Sequence, residues 1–129
     1  MREMAGSEGD CPCGSGQAFA RCCGPFLGGA AAPTALALMR SRYTAYVRGA
    51  IEYLVETHAE ETRGRVDRVA IARWARETRW VGLEIVATER GGEADEEGVV
   101  EFVARGVTQG AAFAQRERSR FRRAEGRWY

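Results

Sequence analysis

The spacing of apolar residues predicts helices in the first part of the chain. After Thr34, apolar residues recur at intervals of three and four through residues 36–47, and a second, shorter apolar face covers residues 51–57. A third face follows Asp67 and extends to residue 75. These intervals are typical of one face of a helix, and Thr and Asp commonly cap helix N-termini. The pattern predicts three helices, with residues 58–64 as the loop before the third.

From Trp80 onwards the period changes to two, which is typical of strands. Residues 80–86, 99–105 and 113–123 read as three strands. They are separated by the turn-rich stretch GGEADEEG and by a turn predicted at residues 106–111, and Glu125-Gly126 forms a last turn. Helices followed by a run of strands predict an α+β fold, in which three N-terminal helices pack on a curved antiparallel sheet.

The third strand has two chemically different faces. One face carries arginines at positions 116, 118, 120 and 122. Four arginines cannot all be buried without partners, so this face is predicted to lie outside. There, Glu84 and Glu101 of the neighbouring strands are expected to form a cross-strand charge ladder with the arginines. A basic groove for nucleic acid or for an acidic partner is the alternative interpretation.

The opposite face of that strand points Gln115, Glu117 and Ser119 towards the helices. A carboxylate in that position needs a partner or becomes protonated, and arginines and tyrosines of the first helix, including Arg42, are the expected partners. Two interpretations stay open: a structural network around Glu117, or a pocket for a small molecule. The candidate pocket residues are Arg40, Tyr43, Tyr46, Glu117 and Ser119.

All cysteines of the chain lie within thirteen residues near its start, at Cys11, Cys13, Cys22 and Cys23. Two close pairs separated by a glycine-rich bend suit a closed tetrahedral zinc site, with a redox pair or an iron site as the alternatives. Gly14 and Gly16 can adopt the positive φ that such a bend requires. Because four protein ligands leave no open coordination position, the zinc is predicted to be structural rather than catalytic.

Composition narrows the class of protein. Nineteen basic residues, all arginine, oppose eighteen acidic ones and give a net charge of +1, which argues against a dedicated nucleic-acid binder. No stretch approaches the roughly 20 apolar residues of a membrane span, and the first ten residues lack the apolar core of a signal peptide. We therefore expect a cytoplasmic protein, and the reducing cytosol favours a metal site over disulfides.

These observations divide the chain into three parts. Residues 1–10 read as a flexible tail, residues 11–27 as the zinc module, and residues 34–129 as the α+β domain. The small residues between them, GGAAAP, read as a linker or tight connection.

The run CPCGSGQAFARCC resembles the SEC-C motif, C-x-C-x8-C-[CH], the zinc module at the C-terminus of the SecA translocation ATPase. In SecA that module contacts a chaperone and the ribosome. The resemblance therefore implies zinc binding and an interaction with a protein partner. Gln17 and Ala18 replace the basic residues that usually follow the glycines, which puts ribosome contact in doubt.

Residues 32–46, 80–86, 100–106 and 116–129 resemble the bacterial YchJ family, which joins a SEC-C motif to a cystatin-like cone related to nuclear transport factor two. The resemblance implies the same three-helix, curved-sheet fold as the residue pattern, and it implies no established activity. Among its departures from the family, only His58 remains of a common Trp-His-Pro, and Arg116 stands where the family often has histidine.

The sequence leaves two functions open. The first is an adaptor, in which the zinc module binds a protein partner and the cone is a scaffold. The second is a cone that binds or transforms a small molecule in a pocket containing Tyr43, Glu117, Ser119 and His58. His58 is the only histidine and lies in a predicted loop, and the sequence gives it no catalytic partner.

Overall fold

The computed structural model describes residues 10–129, so the tail predicted for residues 1–10 lies outside the described residues except for its last position. The helices, in chain order, are a 3-10 helix Phe19–Arg21, α1 Gly24–Leu27, α2 Ala35–Arg48, α3 Ile51–Glu56, α4 Glu60–Arg63 and α5 Arg68–Glu77. The strands are β1 Thr78–Arg90, β2 Glu97–Thr108, β3 Ala111–Ala124 and β4 Arg127–Trp128. The predicted order of helices followed by a curved antiparallel sheet is confirmed.

The main helices begin where the sequence predicts and end within about two residues of the predicted apolar faces. The Thr34 hydroxyl accepts a hydrogen bond from the Ala37 amide at 3.0 Å, and Gly49, at φ 74°, ends α2. Asp67 caps α5 in the same way. The loop predicted between the last two helices is wrong in part, because residues 60–63 form the single turn α4. Within residues 10–129, no helix has both the length and the apolar character needed to cross a membrane.

The four strands form one antiparallel sheet in sequence order, β1-β2-β3-β4. Gln109 and Gly110 join β2 to β3 with φ angles of 51° and 81°, the left-handed pair of a tight two-residue hairpin. The turn is therefore shorter than the predicted 106–111, and both strands extend into that range. The predicted turn at Glu125-Gly126 uses the same pair of positive φ angles.

Two β-bulges interrupt β1, one between Trp80 and Gly82 and the other between Ile85 and Ala87. Val81 is the extra residue of the first bulge and is 60% exposed, although strict alternation predicts it to face the core. The bulge reverses the phase of the strand, so Trp80 packs inward instead. Bulges also bend a strand, which helps to curl the sheet around α2.

Helix α5 faces the sheet through its second half. The ring centroids of Trp74 and Trp80 are 5.0 Å apart. Val69, which the pattern places on the inner face, is 67% exposed because it lies in the first turn, ahead of that contact. Trp74 therefore joins this helix to the aromatic residues at one end of the curved sheet.

One buried cluster joins the cysteine segment to the rest of the molecule. Its members come from the cysteine segment, the connection before α2, α2 itself and the sheet: Cys11, Cys13, Cys23, Ala32, Ala35, Leu38, Met39, Tyr43, Val100, Phe102, Ala104, Phe121 and Trp128. Phe19, Phe26 and Leu27 pack against this cluster from the module side. The cysteine segment therefore shares its apolar core with the α+β domain.

The N-terminus of α2 is fixed against the far end of the β1–β2 pair. The Ala35 amide donates a hydrogen bond to the Gly91 carbonyl at 2.9 Å. A Cβ at Gly98 would lie 2.4 Å from the Gly91 Cα, so only glycine permits this approach. This contact sets the height of α2 above the sheet.

The outer face of the sheet carries part of the expected charge ladder, the pairs of Glu101 with arginines of β3. Arg116 lies 2.7 Å from Glu101, and Arg118 lies 2.5 Å from Glu89 and 3.5 Å from Glu101. Glu84 pairs with Arg105 of the adjacent strand, at 3.0 Å, rather than with an arginine of β3 as the predicted ladder has it. Exposed pairs of this kind each contribute only about 0–1 kcal/mol.

Candidate metal centre and ligand cavity

The four cysteine sulfurs converge on one point. They lie within 4.8 Å of one another, with Cys13 and Cys22 at 3.6 Å and Cys22 and Cys23 at 3.9 Å. Four sulfurs arranged tetrahedrally around a zinc ion at about 2.3 Å are separated by about 3.8 Å. All four are free thiols, and the cluster could hold a metal ion.

The glycine-rich bend between the two cysteine pairs has the predicted conformation. Gly14 and Gly16 have φ angles of 82° and 87°, a region that side chains disfavour. Between them, the Ser15 hydroxyl lies 3.1 Å from the Cys22 sulfur. The bend thus brings a hydrogen-bond donor to the most exposed of the four cysteines.

Helix α2 supplies the other polar contacts to the cluster. Arg40 Nη1 donates to the Cys13 carbonyl at 2.9 Å and lies 3.7 Å from its sulfur. Thr44 Oγ1 donates to the Cys23 sulfur at 3.3 Å and lies 3.6 Å from the Cys11 sulfur. Arg40 therefore belongs to the cysteine site and not to the pocket in which the sequence placed it, because it shares a helix face with Thr44 one turn away.

Electrostatics within the cluster favour a bound cation. A hydrogen bond from the Cys23 thiol, with further ones from Ser15, lowers the pKa of Cys13 to about 4. The same Cys13 contact and burial raise the pKa of Cys23, and burial raises the pKa of Cys22. Without a metal, one sulfur is thus ionised at the expense of its neighbours, whereas a metal cation allows all four to ionise together.

A cavity of about 410 Å³ lies between α2, the α3–α4 segment and the inner face of the sheet. The structure places Tyr43, Tyr46, Glu117 and Ser119 on its wall, together with His58, which the sequence also associates with a pocket. The remaining lining residues are Met39, Arg42, Thr57, Ala59, Thr62, Trp74, Trp80, Phe102, Ala104, Gln115, Arg120, Phe121 and Tyr129.

One wall of the cavity is an aromatic cluster. The Tyr46 ring lies 5.4 Å from Trp74 and 5.5 Å from Trp80, and Phe113 lies 5.9 Å from Trp80, measured between ring centroids. Several of these pairs are edge-to-face, an arrangement that adds stability beyond burial alone. The rings therefore pack against one another along one wall, and the cavity beside them stays open.

Glu117 lies on the opposite wall with partners that the sequence did not predict. Its carboxylate accepts hydrogen bonds from Gln115 Nε2 at 3.1 Å and from the Ser119 hydroxyl at 2.7 Å. Both partners belong to its own strand. The expected arginine or tyrosine partner on α2 is not in contact, because the cavity separates this part of β3 from the helix. Glu117 is accordingly exposed rather than buried.

Arg42 is the cavity residue that the candidate set omitted. Its Nη1 donates to the Leu54 carbonyl at 2.9 Å and to the Thr57 hydroxyl. Burial lowers the pKa of Arg42, and within residues 10–129 no carboxylate forms a salt bridge with it. Its spacing of four from Tyr46, on the same helix face, is the sequence signal that associates it with the pocket.

His58 lies between α3 and α4, at the edge of the cavity. Its Nδ1 is 2.8 Å from the Thr62 hydroxyl. Burial, reinforced by the positive charge of Arg42, lowers the pKa of His58, so the imidazole is neutral at neutral pH. The observed partner, a threonine one helical turn away, positions the ring at the cavity mouth.

Comparison with known proteins agrees with this architecture. The profile of the YchJ middle NTF2-like domain matches residues 34–129, and that of the SEC-C motif matches residues 10–25. A UPF0225 protein of Geobacter sulfurreducens is 47% identical over 120 residues, covering 92% of this chain and 74% of its own length. A UPF0225 protein of Chromobacterium violaceum is 47% identical over 131 residues, covering 100% of this chain and 95% of its own.

Solved structures show the same fold. The solution structure of a SEC-C motif containing protein from Rhodopseudomonas palustris has a TM-score of 0.84 at 39% identity and covers 93% of both chains. The crystal structure of a SEC-C motif containing protein from Psychrobacter arcticus has a TM-score of 0.80 at 32% identity, covering 93% of this chain and 78% of its own. With its cysteine cluster and its curled sheet, this chain belongs to the YchJ (UPF0225) family, whose members join a SEC-C motif to an NTF2-like domain.

Proposed function

We propose that this protein binds a small molecule in its cone, and that a structural zinc ion in the SEC-C module stabilises the cone. The cavity of about 410 Å³ carries the first part of the proposal. Small-molecule sites typically measure about 300–1,000 Å³ and combine apolar walls with a few polar groups. The partners of Glu117 on its own strand also favour a pocket over the alternative, a structural network that ties the strand to α2.

A substitution that fills the cavity tests the binding role. Ser119→Phe introduces a ring into the cavity, whereas Ala114→Phe introduces the same ring on the exposed outer face of β3 as a matched control. The probe is N-phenyl-1-naphthylamine, a neutral dye that fluoresces in apolar sites. We expect Ser119→Phe to weaken dye binding by about tenfold or more, a loss of about 1.4 kcal/mol.

The control variant and the wild type should bind the dye equally. If a folded Ser119→Phe variant, checked by circular dichroism, binds as tightly as Ala114→Phe, the cavity is not the binding site. The ligand-binding role would then be rejected.

Three features support zinc as the metal. The sulfur separations of 3.6 and 3.9 Å suit tetrahedral zinc, the thiols of Cys13 and Cys23 are buried, and donors from α2 face the sulfurs. A closed set of four thiolates leaves no position for substrate, which makes the proposed role structural. The free thiols also suit the cytosol, our proposed location, where reducing conditions keep them available.

Removing one donor to the sulfurs tests the zinc site. Thr44→Val keeps the shape of the side chain and deletes the hydroxyl that contacts Cys11 and Cys23. We expect one zinc ion per chain and an affinity lowered by about tenfold, the usual effect of losing such a contact, measured by competition with a chromophoric chelator. Thr88→Val, on the exposed part of β1, is the control. Substoichiometric zinc, or equal affinities for the two variants, would contradict the proposal.

The adaptor role implied by the SEC-C resemblance remains a second candidate. One observation favours it: the side of the module that faces away from the cone exposes Gln17, Ala20, Arg21 and Pro25. Arg21 is charged there and has no salt bridge within residues 10–129. This surface would suit a protein partner with a complementary acidic patch.

A charge reversal on that surface distinguishes an adaptor from a scaffold. Zinc-loaded full-length protein is used as bait in a cytosolic extract, with Arg21→Glu as the test variant and Arg76→Glu, on exposed α5, as the control. The adaptor role predicts that Arg21→Glu alone loses a specific partner. If the wild type and both variants capture identical sets of proteins, the exposed side of the module is not a docking site.

A further inference from the structure

The cavity contains more hydrogen-bond donors than its own residues satisfy. Within residues 10–129, the hydroxyls of Tyr43 and Tyr46 have no hydrogen-bond partner, and Arg42 uses only Nη1. Burial raises the pKa of Tyr43 to about 12 and also raises that of Tyr46, so both hydroxyls remain protonated. Trp80 adds an indole N–H that is shielded from solvent and has no partner among the same residues.

The unpaired guanidinium is the most informative of these donors. Arg42 is half-buried, and a cation that loses part of its hydration loses solvation free energy unless an anion or several hydrogen bonds compensate. Arg42 has one carbonyl and one hydroxyl as acceptors, and no salt bridge within residues 10–129. Its remaining N–H groups match the two oxygens of a carboxylate, which guanidinium groups commonly bind through paired hydrogen bonds.

Two other charged residues line the cavity, Glu117 and, at its rim, Arg120. Glu117 of β3 lines the same cavity, and its carboxylate would repel a second one placed beside it. Its two oxygens already accept hydrogen bonds from Gln115 and Ser119. The negative end of a ligand is therefore favoured at the α2 side, next to Arg42, and the uncharged body occupies the rest of the space.

The shape of that uncharged body follows from the aromatic wall. Trp74, Trp80 and Tyr46 pack at centroid distances of 5.0–5.5 Å and present rings to the cavity. Phe102 and Phe121 line it from the sheet. Planar rings pack favourably against such surfaces, both by apolar burial and by edge-to-face contacts.

We propose that the cavity binds a small planar aromatic monocarboxylate, with its carboxylate on Arg42 and the tyrosine hydroxyls and its ring against Trp74 and Trp80. This inference rests on the ligand-binding role proposed above and adds the chemical class of the ligand. A purely apolar cavity, by contrast, would bind a neutral molecule of the same shape as tightly as the carboxylate.

Matched pairs of acids and amides test the proposal in the zinc-loaded full-length protein. The probes are benzoate, 2-naphthoate and indole-3-acetate, each compared with its neutral carboxamide by calorimetry at low salt. We expect at least one carboxylate to bind about tenfold or more tightly than its amide, because hydrogen bonds to charged groups are the stronger kind. Indole N–H resonances locate the site: those of Trp74 and Trp80 should shift, while Trp128, bonded to the Pro33 carbonyl at 3.3 Å, should not.

Two arginine variants assign the charge. Arg42→Gln keeps a hydrogen-bonding side chain without the charge, and it should reduce carboxylate binding to the level of the amide. Arg116→Gln, which removes an arginine of the outer face of β3 that does not line the cavity, should leave the acid-over-amide preference unchanged. Arg42 also bonds to the Leu54 carbonyl. If circular dichroism shows that Arg42→Gln is not folded, the wild-type comparison of acids with amides decides the question by itself.

The outcomes separate this inference from the proposed function. Acids and amides that bind equally, with shifts at Trp74 and Trp80, would overturn the carboxylate assignment and leave the cavity as a ligand site. Failure of all six probes and of the neutral dye would overturn both. An acid-over-amide preference that is kept in a folded Arg42→Gln variant would reject Arg42 as the anion-binding residue.

Discussion

The position of helix α2 is the constraint on which the rest of the structure depends. One face of this helix presents Arg40 and Thr44 to the cysteine cluster, while another presents Tyr43 and Tyr46 to the cavity. Its N-terminus is fixed at a third point, where Ala35 bonds to Gly91. A shift of the helix would disturb the sulfur contacts and the cavity wall together, so the metal centre and the cavity are two consequences of one placement.

This arrangement changes the interpretation of the SEC-C module in this chain. The module resembles a detachable interaction unit in sequence, yet Cys11, Cys13 and Cys23 are buried in the same apolar cluster as Leu38 and Phe102. A metal bound there would contribute its binding free energy to folding, and the buried cluster would transmit that stabilisation to the cone. The exposed side of the module remains available for a partner, but its inner side is committed to α2.

The sequence predicted local features well and features that depend on curvature poorly. The caps Thr34 and Gly49 and the bend glycines carry their own conformational signals, whereas the phase of β1 depends on a bulge at Val81 that leaves no trace in a period-two pattern. The candidate pocket included Arg40 and omitted Arg42, since the sequence shows that the two lie on different helix faces but not which face meets the cysteines. The cavity itself arises from the space between a curled sheet and a helix, so Glu117 was expected to be buried although it is exposed.

Amide hydrogen exchange on zinc-loaded and chelator-stripped protein tests most directly whether the metal centre holds α2 and the cone in place. The account predicts that removing zinc accelerates exchange in residues 11–27, throughout α2, and in the β2 residues that face it, because the buried cluster joins these segments. Acceleration confined to residues 11–27, with α2 and β2 unchanged, would contradict it and would show that the module folds on the cone without supporting it.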